Sequence, residues 1–384
     1  MSLPSRATPA AQTAPATAST PALGVLRTGV ACAVGLSAAQ ACAAIRSAID
    51  RFEESSFRDV QGEPILAAQA PLHLLDPAHG GGDHDDDRGV QLGGASRCAR
   101  LFERALEDCL GDRAAGNDSL DDPSPALDTV VLLTLLPSPG RAGVPEHLEA
   151  ALDAVRERRG WRFHAHSRVF RHDRASLAYA VAHATALLSR EAGLSVLIVG
   201  VDSLINAGAI NHYLRRDRLQ TDGNSNGFIP AEAAAAVWLA QAAGPGQLTI
   251  RACERALETI TVLDTERKSR FEALPQASAA ALACAGCAMH QIDARLVSAS
   301  GEEYFFEELA MVLARTLREH RSTIALWHPA DCIGEVGAAI GPLLLAVAHD
   351  AITKGYAPGP RFLIELSNDD GDRAALVLTT SPSS

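Results

Sequence analysis

The chain has 384 residues, 47% of them apolar and 4% aromatic, with 34 basic against 46 acidic side chains and a formal net charge of −12. At about 100–200 residues per domain this is two domains or two fused halves, and the slightly positive mean hydropathy excludes general disorder. The charge argues against a nucleic-acid partner, because the dense basic runs, Arg156-Glu157-Arg158-Arg159 and Arg215-Arg216-Asp217-Arg218, each contain an acid and read as solvated helix faces.

Residues 1–22, rich in Ala, Pro, Ser and Thr, lack the apolar core of a secretory signal and read as a disordered tail. A short strand is expected over 24–33, then a helix over 38–49 with Ser37 as its N-cap. The Gly- and Asp-rich segment 79–87 is a loop. A helix over 96–110 and an Asp/Gly/Asn/Pro-rich linker to Pro125 follow. Residues 130–136 form a continuous apolar run, the mark of a strand buried on both faces, closed by Pro137 and Pro139. The next helix is expected over 145–158, with Glu146 in its first turn and Arg156, Arg158 and Arg159 near its end, as the helix dipole favours. A strand over 162–169, a helix over 175–191 and a strand over 196–200 complete the series.

After the turn-rich stretch 221–227 the pattern repeats. It gives a helix over 278–292, a strand over 294–298, a helix over 304–320, a strand over 323–327 and a helix over 336–348. Two closing strands around 362–366 and 374–379 are joined by the turn Asn368-Asp369-Asp370-Gly371. Alternating strands and helices at this spacing predict a layered α/β fold, and the two similar series are consistent with a duplication. The apolar run 336–348 is the longest in the chain. It falls short of the roughly 18 residues of a membrane span and contains Pro342, so it reads as a buried helix. Eight cysteines in a long chain without a signal sequence read as reduced thiols in a cytoplasm.

Three segments together resemble the ketoacyl-synthase branch of the thiolase superfamily. The first is 196–203, followed by Arg218-Leu219 and 227–234, similar to a strand with a Gly pair and then "G-x-x-P-G-E-G-A". The second is 334–341, similar to "G-H-x-x-G-A-A-G". The third is the closing strand pair around 371–375. Thr28-Gly29-Val30 and Gly35 sit where that family has its opening "T-G-x-G" strand. The resemblance covers about residues 24–380. It implies a duplicated α-β-α-β-α five-layer fold in two halves, 23–245 and 246–384. It also implies a homodimer or heterodimer, paired through the edge strand at 162–169. The Ala-rich segment 231–242 has helix propensity, whereas the resemblance makes it a strand; Asn224, Gly227 and Pro230 favour the strand.

Condensing enzymes of this family use a thiolate at a helix N-terminus and two histidines. Counting back from Gly200, the cysteine position falls at Ala175, and no cysteine lies between Cys109 and Cys253. The first histidine position is Ser300, within Ser298-Ala299-Ser300-Gly301-Glu302, and the second is Gly334 or Glu335. Ser176 is the neighbouring hydroxyl, and His328 lies a few residues upstream of the second position. An alkoxide is far harder to reach than a thiolate, and three unsuitable positions at once imply that the condensing chemistry is gone.

Other polar groups carry less. Cys284 and Cys287 have C-x-x-C spacing with His290 nearby, but in an Ala-rich helical stretch they read as buried helix cysteines. His79, Asp83, His84 and Asp85 to Asp87 lack a spacing that fixes metal geometry. His164 and His166 alternate on the expected strand 162–169 and so face one side. No metal or cofactor is expected. Two readings stay open: a non-catalytic scaffold or adaptor, or an acyltransferase acting on acyl carrier protein or coenzyme A thioesters. The scaffold resembles chain-length factors and the ketoacyl-synthase-like proteins found beside type VI secretion effector genes, with an acyl carrier protein or a secretion effector as partner.

Overall fold

The computed structural model describes residues 22–75, 94–111 and 127–380. The tail 1–21, the acidic loop 79–87 and most of the linker before Pro125 lie outside the described residues. In chain order the elements are β1 (Leu23–Cys32), α1 (Ala38–Arg46), β2 (Glu53–Arg58), β3 (Pro64–Ala67), α2 (Gly94–Leu110), β4 (Val130–Leu136), α3 (Leu148–Arg158), β5 (Arg168–Arg171), α4 (Ser176–Leu188), β6 (Ser195–Ser203), α5 (Ala207–Leu214) and β7 (Glu232–Gln241). Then follow β8 (Leu248–Leu257), α6 (Ala273–Cys284), β9 (Ala294–Val297), α7 (Glu303–Thr316), β10 (Ala325–Trp327), α8 (Ala330–Ile333), α9 (Ile340–Thr353), β11 (Arg361–Ser367) and β12 (Asp372–Thr380).

Strands of the first half hydrogen-bond in the order β5-β4-β6-β7-β1, and those of the second in the order β10-β9-β11-β12-β8. The second series repeats the first strand for strand. Thus β4 runs parallel to β5 and β6, as β9 does to β10 and β11. Likewise β7 is antiparallel to β6 and β1, as β12 is to β11 and β8. The halves join where β1 meets β8, through only Leu23 opposite Ile250 and Gly24 opposite Thr249.

Strand alternation sorts the core into layers. Val131, Leu133 and Leu135 of β4 pack with Leu177 and Val181 of α4 and Leu343 and Leu344 of α9, whereas Val130, Leu132 and Leu136 pack with Phe102 and Leu106 of α2 and Leu152 of α3. In the second half Phe362 and Ile364 of β11 join the α4–α9 layer, and Leu363 turns to Leu274 of α6 and Phe305 of α7. The order is therefore α2 and α3, a sheet, α4 and α9, a sheet, α6 and α7. This is the duplicated five-layer arrangement, and its middle layer is helical.

The Ala-rich segment is a strand. As β7 it lies between β1 and β6 and is buried on both faces, so tertiary pairing overrides the helix propensity of alanine. Several expectations need correction. The strand expected over 162–169 is only Arg168–Arg171, because the chain before it turns. Ser167 N–H bonds the His164 carbonyl at 3.0 Å, the Ser167 hydroxyl donates to the same oxygen, and Leu132 N–H donates to that hydroxyl. His164 and His166 thus sit in a turn, not on a strand face. The helix expected over 145–158 begins at Leu148, leaving Glu146 ahead of it and Glu149 as its first-turn acid. The helix expected over 278–292 begins earlier, since Pro275 is tolerated in a first turn, and it ends at Cys284 before Gly286, whose φ is +66. Among the described residues no helix is long and apolar enough to cross a membrane.

Gly200 of β6 faces the turn that opens α9: a Cβ there would press on the Ala338 carbonyl and lie 3.0 Å from Ala339 Cα. Gly200→Ala is expected to lower unfolding stability by about 1–3 kcal/mol in urea at an unchanged denaturant slope. An unaltered midpoint would show that the middle layer yields at this contact.

Candidate functional site

Strand β5 ends at Arg171 and the chain reverses into α4 through a sharp elbow, with Asp173 at φ +42 and a tight turn over Asp173–Ala175. Ala175 is buried in that turn. Ser176 is the first residue of α4 and is fully buried, and its Oγ accepts the His172 N–H at 2.8 Å. Ser300 lies on the loop between β9 and α7, also buried, and its Oγ makes no hydrogen bond among the described residues. Gly334 closes α8 at φ +69, and Glu335 follows, buried. His328 is held elsewhere: Nε2 is 2.5 Å from the Ala299 carbonyl oxygen, Nδ1 is 2.9 Å from Asp331 Oδ1, and Phe306 packs edge-on against the ring.

The neighbours of these positions are what the fold brings together. Arg174, beside Ala175, places Nε 3.2 Å from Glu335 Oε2, Nη2 3.0 Å from Asp369 Oδ1, and Nη1 2.9 Å from the Ser367 carbonyl. Arg218 grips Glu302, two residues after Ser300, at 2.6 and 2.8 Å, and grips Asp369 at 2.7 and 3.0 Å. Asp369 therefore joins two guanidiniums, and the chain Glu335–Arg174–Asp369–Arg218–Glu302 connects all three loops. Arg174 is stacked over Phe305, and Arg218 over Tyr213 and Phe228, which shields both from water. A second clamp lies beside the first. Arg141 makes two bonds to Asp202 and a 3.2 Å contact with Asp173, and Asp202 accepts the Ala338 N–H at 2.9 Å.

Charge decides what the site can do. Burial alone would raise the Asp369 carboxyl, but Arg174 and Arg218 outweigh it and hold it well below its ordinary value. Burial raises Glu302 against the pull of Arg218. Two guanidiniums face three carboxylates here, so a further thiolate or oxyanion would meet net negative charge. No thiol joins this network, and its cations are already bound.

Sequence reasoning missed Arg174 and Asp369, and it read the Arg215–Arg218 run as solvated. The first three residues of that run are exposed, but Arg218 is buried. Its position directly before the apolar Leu219 is the only local signal. The cysteines expected to be buried in a helix are not: Cys284 ends α6 exposed and donates to Glu254 at 3.3 Å, Cys287 lies past the helix end, half-buried, and His290 approaches Glu319. Among the described residues no three potential ligands form a metal cluster.

A scan against family models finds no match, and a search of curated proteins finds no similar sequence. Solved structures do match. The ishigamide ketosynthase/chain length factor superposes with a TM-score of 0.64 at 15% identity, over 94% of this chain and 99% of that one. The ketosynthase ApeO in complex with its chain length factor ApeC, from Xenorhabdus doucetiae, gives 0.63 at 11% identity, over 95% and 100%. A type II polyketide ketosynthase in complex with its acyl carrier protein gives 0.68 at 11% identity, over 94% and 99%. The chain thus has the thiolase-like fold of the ketosynthases.

Arg218→Ala leaves Glu302 and Asp369 buried with fewer cations, and is expected to cost about 3–5 kcal/mol in chemical unfolding. Replacing Arg218 and Glu302 together by Met and Leu should recover a large part of that loss. A carboxyl held below its ordinary 3.8 contributes stability that is complete above that pH and is lost as pH falls beneath it. Asp369→Asn should therefore lower stability at neutral pH and flatten the acid limb of the stability curve. An unchanged limb would remove Asp369 from the network's energetics.

Proposed function

We propose that this chain is a non-condensing ketosynthase-fold protein that acts as a binding or scaffold subunit in the cytoplasm. The observation that supports this reading is the buried ion network. Where a condensing enzyme needs a thiolate and two imidazoles converging on an open site, this chain has Ala175, Ser300 and Gly334–Glu335, their loops tied together through Arg174, Arg218 and Asp369. Removing one member of a catalytic unit already forfeits most of its rate, and here all three are replaced.

In this reading the chain pairs as a homodimer or heterodimer through the open edge of β5, now confined to Arg168–Arg171, with Val169 partly exposed on it. The partner is a second thiolase-fold subunit, as in the neighbours that hold a ketosynthase with its chain length factor. The same scaffold role extends to handling a type VI secretion effector, a reading supported by the resemblance of the turn at 334–341 to ketoacyl-synthase-like proteins found beside such effector genes.

The test is covalent labelling. Purified protein is incubated with mass-tagged acyl coenzyme A and acyl carrier protein thioesters, then read by intact mass and by release of condensed product. No adduct and no product are expected, with any residual rate several orders of magnitude below a competent enzyme. An adduct that disappears in Ser176→Ala would overturn the scaffold reading and install acyl transfer through that hydroxyl.

A further inference from the structure

A cavity of about 270 Å³ opens between the end of α1, strand β10, helix α8 and helix α9. Its walls are mainly apolar: Ile45, Trp327, Val347 and the ring of Tyr356. Cys42 and Cys332 also line it, and burial pushes the Cys42 thiol up to about 12, so this part of the wall is neutral and unreactive. Its polar lining includes His328, Asp331 and the Tyr356 hydroxyl. His328 and Asp331 bond each other at 2.9 Å, and the Tyr356 hydroxyl donates to Asp350 at 2.8 Å, so these three are already occupied.

Arg46 differs from them. It lies in the last turn of α1, its guanidinium stacks 4.7 Å over the Tyr356 ring, and no carboxylate among the described residues pairs with it. A guanidinium fixed against an aromatic face, with its N–H fork unused, is a ready partner for a planar anion. The space sets the size of that anion. A dry apolar cavity of about 150 Å³ accommodates benzene, so this one has room for a single ring and its carboxylate.

We propose that this cavity binds a small aromatic carboxylate, with the ring between Trp327 and Val347 and the carboxylate on Arg46. None of its lining residues belongs to the ion network, and its binding requires no acyl chemistry. It has the composition of a small-molecule site: an apolar concavity with one unengaged charged group to fix orientation.

The experiment is a calorimetric titration of the full-length protein with benzoate, benzyl alcohol and benzylamine as probes. Benzoate is expected to saturate at one per chain, with benzyl alcohol at least roughly tenfold weaker because it lacks the charge-assisted contact. Arg46→Gln, an exposed and structurally mild change, should weaken benzoate by a similar factor while leaving benzyl alcohol unaffected. Val347→Phe should fill the cavity and abolish both. Absence of saturable benzoate binding, equal affinity in Arg46→Gln, or tighter binding of benzylamine than of benzoate would each overturn the proposal.

Discussion

A guanidinium taken out of water costs several kcal/mol unless its N–H groups find acceptors, and of the buried arginines Arg174 and Arg218 lie within reach of one carboxylate. Asp369 sits in the turn between the last two strands of the second half, whereas both arginines come from the first half. Satisfying the two cations therefore fixes how the halves face one another at the ends of their strands. Glu302 and Glu335 complete the set from two further loops, so the elbow before α4, the loop before α7 and the turn before α9 cannot move separately. Low local dielectric makes such a network stable only when it is complete.

The helical middle layer makes this geometry possible. Helices α4 and α9 are almost wholly apolar and lie between two sheets, so each begins at the same end of the molecule and carries one loop of the network at its start. Close approach is secured by small side chains: alanines along β7, and Gly200 beside the turn into α9. The duplicated topology explains why the two helices are equivalent. Each follows the third strand of its series and returns the chain to the fourth, parallel strand through the same crossover. Two like helix starts meeting at one place is what a convergent site is built from, whichever side chains it then receives.

Much of this could be read in the sequence where the signal is local. The run 130–136 is apolar at every position but one, and it emerged as β4 with those bounds, because a strand covered on both faces leaves little else for its side chains to be. Ser37 was legible as a cap because its partner, Gln40 N–H, lies three residues away. The strand expected over 162–169 failed for a converse reason. Its turn is stitched by Ser167 to β4, a contact invisible in the segment itself. The network was least legible of all. Arg218 meets Glu302 and Asp369 across 84 and 151 residues, and the apolar Leu219 after it says nothing of either partner. That no cysteine lies between Cys109 and Cys253 was readable; the ion network was not.

The alanines of β7 have a further consequence, for folding. Strand register is normally enforced by side chains, since a slip of one residue exchanges the inner and outer faces. Ala233 to Ala236 present the same methyl group on both sides, so along that stretch a slipped pairing with β1 and β6 buries nearly the same surface as the native one. Discrimination falls to the ends. Glu232 is bound by Arg97 at 2.7 and 2.8 Å and by the Ser203 hydroxyl, and the Trp238 indole N–H donates to Ser195 at 2.9 Å. This interior strand of the first sheet is thus pinned like a ruler held at two marks. A nascent chain that docks β7 before both ends are engaged has little to tell it that it is misaligned.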